Sequence, residues 1–239
     1  EFVWSSIYSA EKRAGIRVGA DEAAVVGNAV DGQPVGISAE AVRLELASNR
    51  IGPLRDPGPG DDLMGSTSSI GIDVQSRPGA DPLLTIRGNV VSFVPPADMW
   101  LDFARGVVVR GDAWLVESNR VVAGVDEERS PHGFTGMMLF GGTDVSAAVA
   151  RGNVVVGGAG VGIMAHLEAG TGLAIEGNFV SGVRAGGIPT YVGSGDGIFA
   201  DRAWGADSGG VVVLSGNVVT ACGRAGVLLS GVVGSIDAN

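Results

Sequence analysis

Apolar and polar residues alternate in short runs along this chain, and Asn or Gly interrupts each run. The stretch LELASNRI, residues 44–51, shows the pattern, with apolar side chains at alternate positions before Ser-Asn and an isoleucine directly after it. Alternation of this kind is typical of β-strands, and no long window keeps the i, i+3, i+4, i+7 spacing of an amphipathic helix. The pattern therefore predicts an all-β chain made of short strands.

The asparagines mark a repeat. Gly or Ser precedes each one except the last, which follows Ala238. Val or Ile stands two residues after each of the first seven, and the residue three positions before is nearly always Val, Leu or Ile. Asparagines scattered over turns would not hold this register. The chain has eight of them, at Asn28, Asn49, Asn89, Asn119, Asn153, Asn178, Asn217 and Asn239.

A glycine followed by apolar residues forms a second marker between the asparagines. In the tightest places the next asparagine follows 13 residues later, and the next glycine 8 or 9 residues after that, which gives a unit of 21 or 22 residues. A unit of this size without a helical pattern is one coil of a solenoid. The marker glycines are Gly15, Gly36, Gly71, Gly106, Gly136, Gly162, Gly197 and Gly226.

The asparagine slot predicts a ladder through the stacked coils. Asn tolerates the left-handed conformation of a sharp turn, and its amide can bond to the asparagine of the next coil, about 4.8 Å away. A leucine-rich repeat is excluded because the position eight residues before each Asn never holds Leu. A left-handed helix of hexapeptides is excluded because 21 or 22 is not a multiple of six.

The repeat resembles the right-handed parallel β-helix superfamily that is called pectate-lyase-like. The resemblance covers residues 15–239 as about seven to eight coils, with loop insertions on one side. It implies a single β-helix domain over residues 1–239, which we interpret as a module of a longer protein. Lyases, hydrolases, adhesins and structural spacers share this fold, so the resemblance predicts the fold but does not specify the activity.

Composition excludes several kinds of partner. The chain has 239 residues, 41 of them glycine, and a formal net charge of -10. No basic cluster occurs, so we expect no nucleic-acid partner. No apolar run reaches the roughly 18 residues that a membrane span needs. The single cysteine, Cys222, cannot form an intrachain disulfide.

The segments from Asn to the next marker glycine are the ones that lengthen, so their loops are expected on one side of the rod. Between two long loops the segment from Asn153 to Gly162 is short. The sequence therefore predicts a cleft about one coil wide, with polar and aromatic side chains on its walls. Its expected lining is Asp126, Glu127, Glu128 and His132 on one side and Tyr191 and Asp196 on the other.

A second candidate site lies in the stretch SGDGIFADRAW, residues 194–204. Asp196, Asp201, Arg202 and Trp204 offer carboxylates, a guanidinium and an indole, a set that can hold a sugar by hydrogen bonds and ring stacking. The alternative is an Asp–Arg pair within one coil that Trp204 covers. We interpret His166 as a surface histidine.

Adjacent methionines, Met137 and Met138, stand in the strand that follows one of the long loops. Methionine adapts its shape to fill irregular gaps, so we interpret this pair as filling of the hydrophobic core rather than as part of a cofactor site.

Three functions are compatible with these features. We favour a non-catalytic, extracellular module that contacts a polysaccharide or a cell-surface glycan, and we expect no cofactor or metal. The alternative is a polysaccharide lyase or glycoside hydrolase, which would bring in a divalent cation at acids such as Asp61 and Asp62. Against that enzyme, the only lysine is Lys12 and the catalytic pattern around His132 is incomplete. The third function is a structural spacer.

The open C-terminal end of the last coil is expected to be covered. A solenoid cut through a coil leaves backbone donors and acceptors unpaired along an apolar cross-section. We expect further β-helix coils or a partner chain there.

Overall fold

The computed structural model describes residues 14–54, 68–93, 103–123, 133–185, 195–202, 209–237 and 239. These residues form 23 strands in three sheets, and none of the described ranges contains a helix. Nothing in those ranges is therefore a helix long and apolar enough to cross a membrane.

Each sheet takes every third strand of the chain, so the chain visits the three sheets in turn. Sheet 1 contains β1 (Ala14–Gly19), β4 (Val35–Ala41), β7 (Ser68–Ser76), β10 (Phe103–Arg110), β13 (Phe134–Phe140), β16 (Gly160–Leu167), β19 (Asp196–Arg202) and β22 (Val227–Ser230). Sheet 2 contains β2 (Glu22–Val26), β5 (Arg43–Ala47), β8 (Leu83–Arg87), β11 (Trp114–Glu117), β14 (Ala148–Arg151), β17 (Gly172–Glu176), β20 (Val211–Ser215) and β23 (Val233–Asp237). Sheet 3 contains β3 (Ala29–Val30), β6 (Arg50–Leu54), β9 (Val90–Phe93), β12 (Arg120–Ala123), β15 (Val154–Val156), β18 (Phe179–Ser181) and β21 (Val218–Thr220).

Neighbouring strands within each sheet are parallel and belong to successive coils. One coil is one strand from each sheet, which gives seven complete coils and an eighth with strands in sheets 1 and 2 only. The fold is a right-handed parallel β-helix, and the fold class and coil number predicted from the repeat are confirmed. Alternate residues of every strand point inward, where Val, Ile, Leu and Ala side chains stack into one continuous core.

The asparagine ladder lies at the turn between sheets 2 and 3. The Oδ1 atom of Asn153 accepts hydrogen bonds from both the main-chain and the side-chain amide of Asn119, at 2.9 and 3.1 Å. Its Nδ2 atom donates to Asn178 Oδ1 and to the main-chain oxygen of Val116, both at 2.9 Å. All four hydrogen-bonding positions of this fully buried amide are therefore occupied.

The same contacts repeat from Asn28 to Asn239 along the helix. From Asn49 onward, Nδ2 also donates to the carbonyl of the residue three positions before the asparagine of the preceding coil, as Asn178 does to Ala150. The position three before each Asn thus has two roles, because its side chain enters the core and its carbonyl accepts a ladder bond.

The turn conformation expected for the asparagines lies one residue earlier in the chain, so that expectation was wrong. Among the described residues no asparagine has a positive φ. The residue before it does, with φ of 55° at Ser48 and Ser118. The remaining examples are Gly27, Gly88, Gly152, Gly177 and Gly216, with φ between 58° and 71°. Because Gly adopts this region without penalty, the turn explains why Gly or Ser stands before the asparagines.

The two sequence markers meet inside each coil. A Cβ atom added to Gly136 would collide with Val155, the valine two residues after Asn153, and would lie 2.5 Å from the carbonyl oxygen of Gly162. The marker glycines of the other complete coils face the corresponding Val or Ile in the same way. The glycine is therefore required by the close approach of sheet 1 to sheet 3, and not by a special backbone conformation.

The C-terminal end exposes apolar side chains of the last coil. Val233 and Ile236 are 67% and 55% exposed. These residues belong to β23, which pairs with β20 on one side only. That further coils or a partner chain cover this end stays a prediction.

We expect Asn153→Ala to lower the free energy of unfolding by at least about 1–3 kcal/mol, because it leaves the Asn119 main-chain amide without its acceptor and removes a hydrogen bond to the Val116 carbonyl. Asn28→Ala is the control, since Asn28 is the exposed first member of the ladder and water replaces its bonds. Urea denaturation of both variants measures the difference. Equal shifts would contradict a buried, fully bonded ladder.

Gly136→Ala is expected to cost about 1–3 kcal/mol through overpacking against Val155 and the next coil. The matched control is Gly226→Ala in the last coil, where the added methyl meets only Val219 Cγ1 at 3.8 Å. Thermal unfolding of the two variants should show a clear loss for the first and little change for the second. A similar midpoint for both would mean that the coils adjust freely to the extra methyl group.

Candidate functional site

The outer faces of sheets 2 and 3 carry rows of charged and apolar side chains. On sheet 2, Arg87, Glu117, Arg151 and Glu176 occupy one position in successive coils, so their charges alternate along the rod. Opposite charges in neighbouring coils form ion pairs within this row, as Arg151 and Glu117 do at 2.9 Å. On sheet 3 the corresponding outer row mixes the arginines Arg50 and Arg120 with exposed Val90, Phe179 and Val218.

Sheet 1 carries a mixed row of polar and aromatic side chains on its outer face. The row occupies the position four residues after each marker glycine and has one member per coil from coil 2 to coil 8. Successive members are register partners in neighbouring strands, so they repeat every 4.7–4.9 Å or so and extend roughly 29 Å along the rod. We call this set the axial row: Glu40, Gln75, Arg110, Phe140, His166, Asp201 and Ser230.

Contacts fix the middle of the axial row in place. Arg110 donates from Nη1 to Asp73 Oδ1 at 2.9 Å, and its guanidinium carbon lies 4.9 Å from the centre of the Phe140 ring. On its other side Phe140 packs against the imidazole of His166, with ring centres 5.4 Å apart and planes inclined by 36°. Asp73, Arg110, Phe140 and His166, together with Asp201 described next, form what we call the outer cluster.

His166 and Asp201 form the most defined polar contact of the outer cluster. Nδ1 of His166 lies 2.6 Å from Oδ1 of Asp201, and each side chain is only 16% exposed. The contact lacks the N–H···O angle of a hydrogen bond, since Asp201 Oδ1 has no hydrogen-bond partner among the described residues. Because Nδ1 faces the carboxylate, Nε2 is the ring nitrogen directed away from Asp201.

Asp196 has a different environment, although it stands on the same strand as Asp201. Its side chain is fully buried and forms a two-pronged ion pair with Arg224 of the next coil, through Nε at 2.9 Å and through Nη2. The hydrogen bond to Asp196 raises the pKa of Arg224 above its usual value. Burial raises the pKa of the nearby Cys222 thiol, which keeps it protonated. This contact favours a role for Asp196 in holding two coils together rather than the binding role expected from the sequence.

Most of the residues predicted to line a cleft lie outside the described part of the chain: Asp126, Glu127, Glu128, His132, Tyr191 and Trp204. The predicted cleft and the stacking role of Trp204 therefore stay predictions. Arg202 is exposed at the end of β19, next to Asp201. His166 faces outward as expected, but it is largely covered and paired.

The residues that sequence reasoning missed are Asp73, Arg110 and Phe140. A signal for two of them was present, because Arg110 and Phe140 stand four residues after marker glycines, as His166 and Asp201 do. Outward positions in a β-helix stack as regularly as the inward ones, so that offset predicts an axial row once the coil is known.

Neither metal clusters nor known relatives define the site further. In the described ranges, no three His, Cys, Asp or Glu side chains converge into a group that could hold a metal ion. No protein-family model, no curated protein and no solved structure matches this chain.

We expect Arg224→Ala to lower the stability by about 1–3 kcal/mol, because it leaves the buried Asp196 carboxylate without its charged partner. The cost stays below that of a fully buried pair because Arg224 itself is 44% exposed. Arg151→Ala is the control, since it removes an equal charge from an exposed pair on sheet 2 and should cost less than about 1 kcal/mol. Chemical denaturation of both variants tests this, and equal losses would argue against a buried ion pair.

Proposed function

We propose that this chain is an extracellular, glycan-contacting β-helical module, which binds a polysaccharide or cell-surface glycan along the axial row without cleaving it. The observation that carries the proposal is the outer cluster, in which Arg110 and His166 are held on either side of Phe140. Side chains that are already ordered lose less conformational entropy on binding a ligand. The pectate-lyase-like superfamily, which the repeat resembles, is part of this proposal.

The spacing of the axial row supports an extended polymer as the ligand. Its members recur once per coil, every 4.7–4.9 Å or so. This spacing is comparable to the length of one sugar unit in a linear glycan. Hydroxyl groups of sugars are both donors and acceptors, and the row alternates guanidinium, imidazole, carboxylate and hydroxyl groups that complement them. The excess of acidic residues in the chain favours a neutral glycan over a polyanion.

The positions of the carboxylates on this face support contact rather than hydrolysis. Asp73 and Asp201 lie four strands apart, or about 19 Å, whereas glycosidase carboxylates are about 5–9.5 Å apart. Glu40 and Asp73 are on adjacent strands, but Arg77 and Arg110 form ion pairs with them.

One observation favours a second candidate, a polysaccharide lyase. Nδ1 of His166 faces Asp201, which leaves Nε2 as the ring nitrogen available to take a proton from a bound sugar. No second catalytic group has been placed beside it among the described residues, which is why the contacting module remains the first proposal.

Binding to a panel of neutral and acidic polysaccharides, measured by affinity electrophoresis and calorimetry, tests the proposal. We expect Arg110→Ala and His166→Ala each to weaken binding about tenfold or more, because a ligand hydroxyl then loses a preoriented partner. Arg87→Ala is the matched control, since it removes an arginine from an ion pair on the outer face of sheet 2. Binding that survives loss of both Arg110 and His166 would place the contact elsewhere.

The same incubations separate the two candidates. Reducing ends and unsaturated sugars are measured after prolonged incubation, with and without calcium. The proposal expects neither product. Unsaturated products that disappear in His166→Ala would replace it with the lyase.

A further inference from the structure

Two methionines of sheet 1 lie outside the hydrophobic core. Met137 faces inward and belongs to the continuous core, as expected for core filling. Met138 faces outward, and its register partner in the next coil is Met164. Both pack in a separate apolar cluster on the outer face, with Phe199 and Val161. The expectation that the pair is apolar filling therefore holds for both residues, Met137 in the continuous core and Met138 against the outer apolar clusters.

His166 lies beside these two thioethers. It stands two residues after Met164 on the same strand and therefore on the same outward face. Its Cα lies about 6.6 Å from that of Met164, and the two methionines are about 4.8 Å apart across the strands. Met has three rotatable bonds, so both sulfur atoms can reach toward the imidazole from these positions.

The contact between His166 and Asp201 orients the imidazole as in a metal site. A histidine that binds a metal through one nitrogen generally donates the other N–H to a carboxylate or carbonyl. Here Nδ1 lies 2.6 Å from the Asp201 carboxylate, and Nε2 is the nitrogen that remains for a ligand. Phe140 covers one side of the imidazole.

We propose that Met138, Met164 and His166 bind a single Cu(I) ion on the outer face of sheet 1. Thioether sulfur is a soft ligand that selects Cu(I), and imidazole suits copper as well. Calcium and magnesium require oxygen ligands, which this set lacks. Phe199, Val161 and Phe140 supply an apolar shell, which limits access of water to the ion. The inference shares His166 with the glycan proposal and is tested apart from it through the two methionines.

The experiment uses the full chain under anaerobic conditions with ascorbate, and Cu(I) is supplied in competition with a colorimetric Cu(I) chelator. We expect one Cu(I) to be retained per chain. X-ray absorption at the copper edge should show sulfur and imidazole scattering from the bound ion. Retention of no copper against the chelator, or a copper spectrum without sulfur scattering, would overturn the proposal.

Conservative variants test the ligands. Met138→Leu and Met164→Leu keep the side-chain volume and the fold, and each should weaken Cu(I) binding by at least about tenfold. Met137→Leu is the matched control, because Met137 is buried in the core and should leave binding unchanged. Asp201→Ala should weaken binding by about 10–100-fold through loss of orientation of His166. Equal effects of the Met137 and Met138 substitutions would contradict the site.

Zn(II) and glycan binding provide the remaining outcomes. Zn(II) binding is measured in the same variants. If Zn(II) binds as tightly as Cu(I) and neither methionine substitution changes its affinity, His166 binds metals without the thioethers, and the proposal is overturned. Arg110→Ala should retain Cu(I), whereas the methionine variants should retain any glycan binding. Failure of the copper site and failure of the glycan proposal are therefore separable.

Discussion

The buried asparagine amides are the interaction on which this structure depends. Each turn between sheets 2 and 3 brings main-chain amides and carbonyls into a place that water does not reach, and buried polar groups without partners are costly. The side chain of one asparagine satisfies the amide of the asparagine before it and a carbonyl of the preceding coil. Because each amide bonds to both neighbouring coils, the ladder fixes the stacking register of the entire rod.

The marker glycine of each sheet 1 strand follows from this stacking. Once the ladder fixes the turn, the Val or Ile two residues later points into the core, and in the complete coils its side chain occupies the space where a Cβ of the glycine would lie. The two markers of the repeat are therefore two sides of one contact. Long segments can be inserted after each strand of sheet 3, because the chain between that strand and the next glycine contributes neither to the ladder nor to this contact.

The outer face of sheet 1 shows how polar and aromatic side chains become neighbours on a β-helix. Inward positions are restricted to apolar side chains by the core, but outward positions four residues after the glycine are free to vary. A charged residue in one coil then becomes the neighbour of an aromatic or imidazole group in the next, as with Arg110, Phe140 and His166. Because the coils are regularly spaced, residues that differ independently from coil to coil form one continuous outer surface. Both proposals for this protein use that surface.

The sequence by itself determined the fold of this protein, because the repeat depends on a local periodicity of residue types that can be read directly from the amino-acid sequence. The asparagine slot, the glycine marker and the unit of 21 or 22 residues sufficed to predict a parallel β-helix, its coil number and the ladder. The conformation of the turn was misassigned by one residue, since the sequence does not distinguish whether Asn28 or Gly27 carries the positive φ.

Only the tertiary structure decided which outward residues touch. Asp196 and Asp201 look equivalent in the sequence, yet Asp196 is buried against Arg224 in the next coil, whereas Asp201 turns to His166 in the preceding one. Met137 and Met138 look like a pair, yet alternate sides of the strand separate them. The physical reason is that these contacts join residues 26 to 37 positions apart, through inserted segments of variable length. Local patterns specify which face a residue occupies, but the register between coils specifies its neighbours.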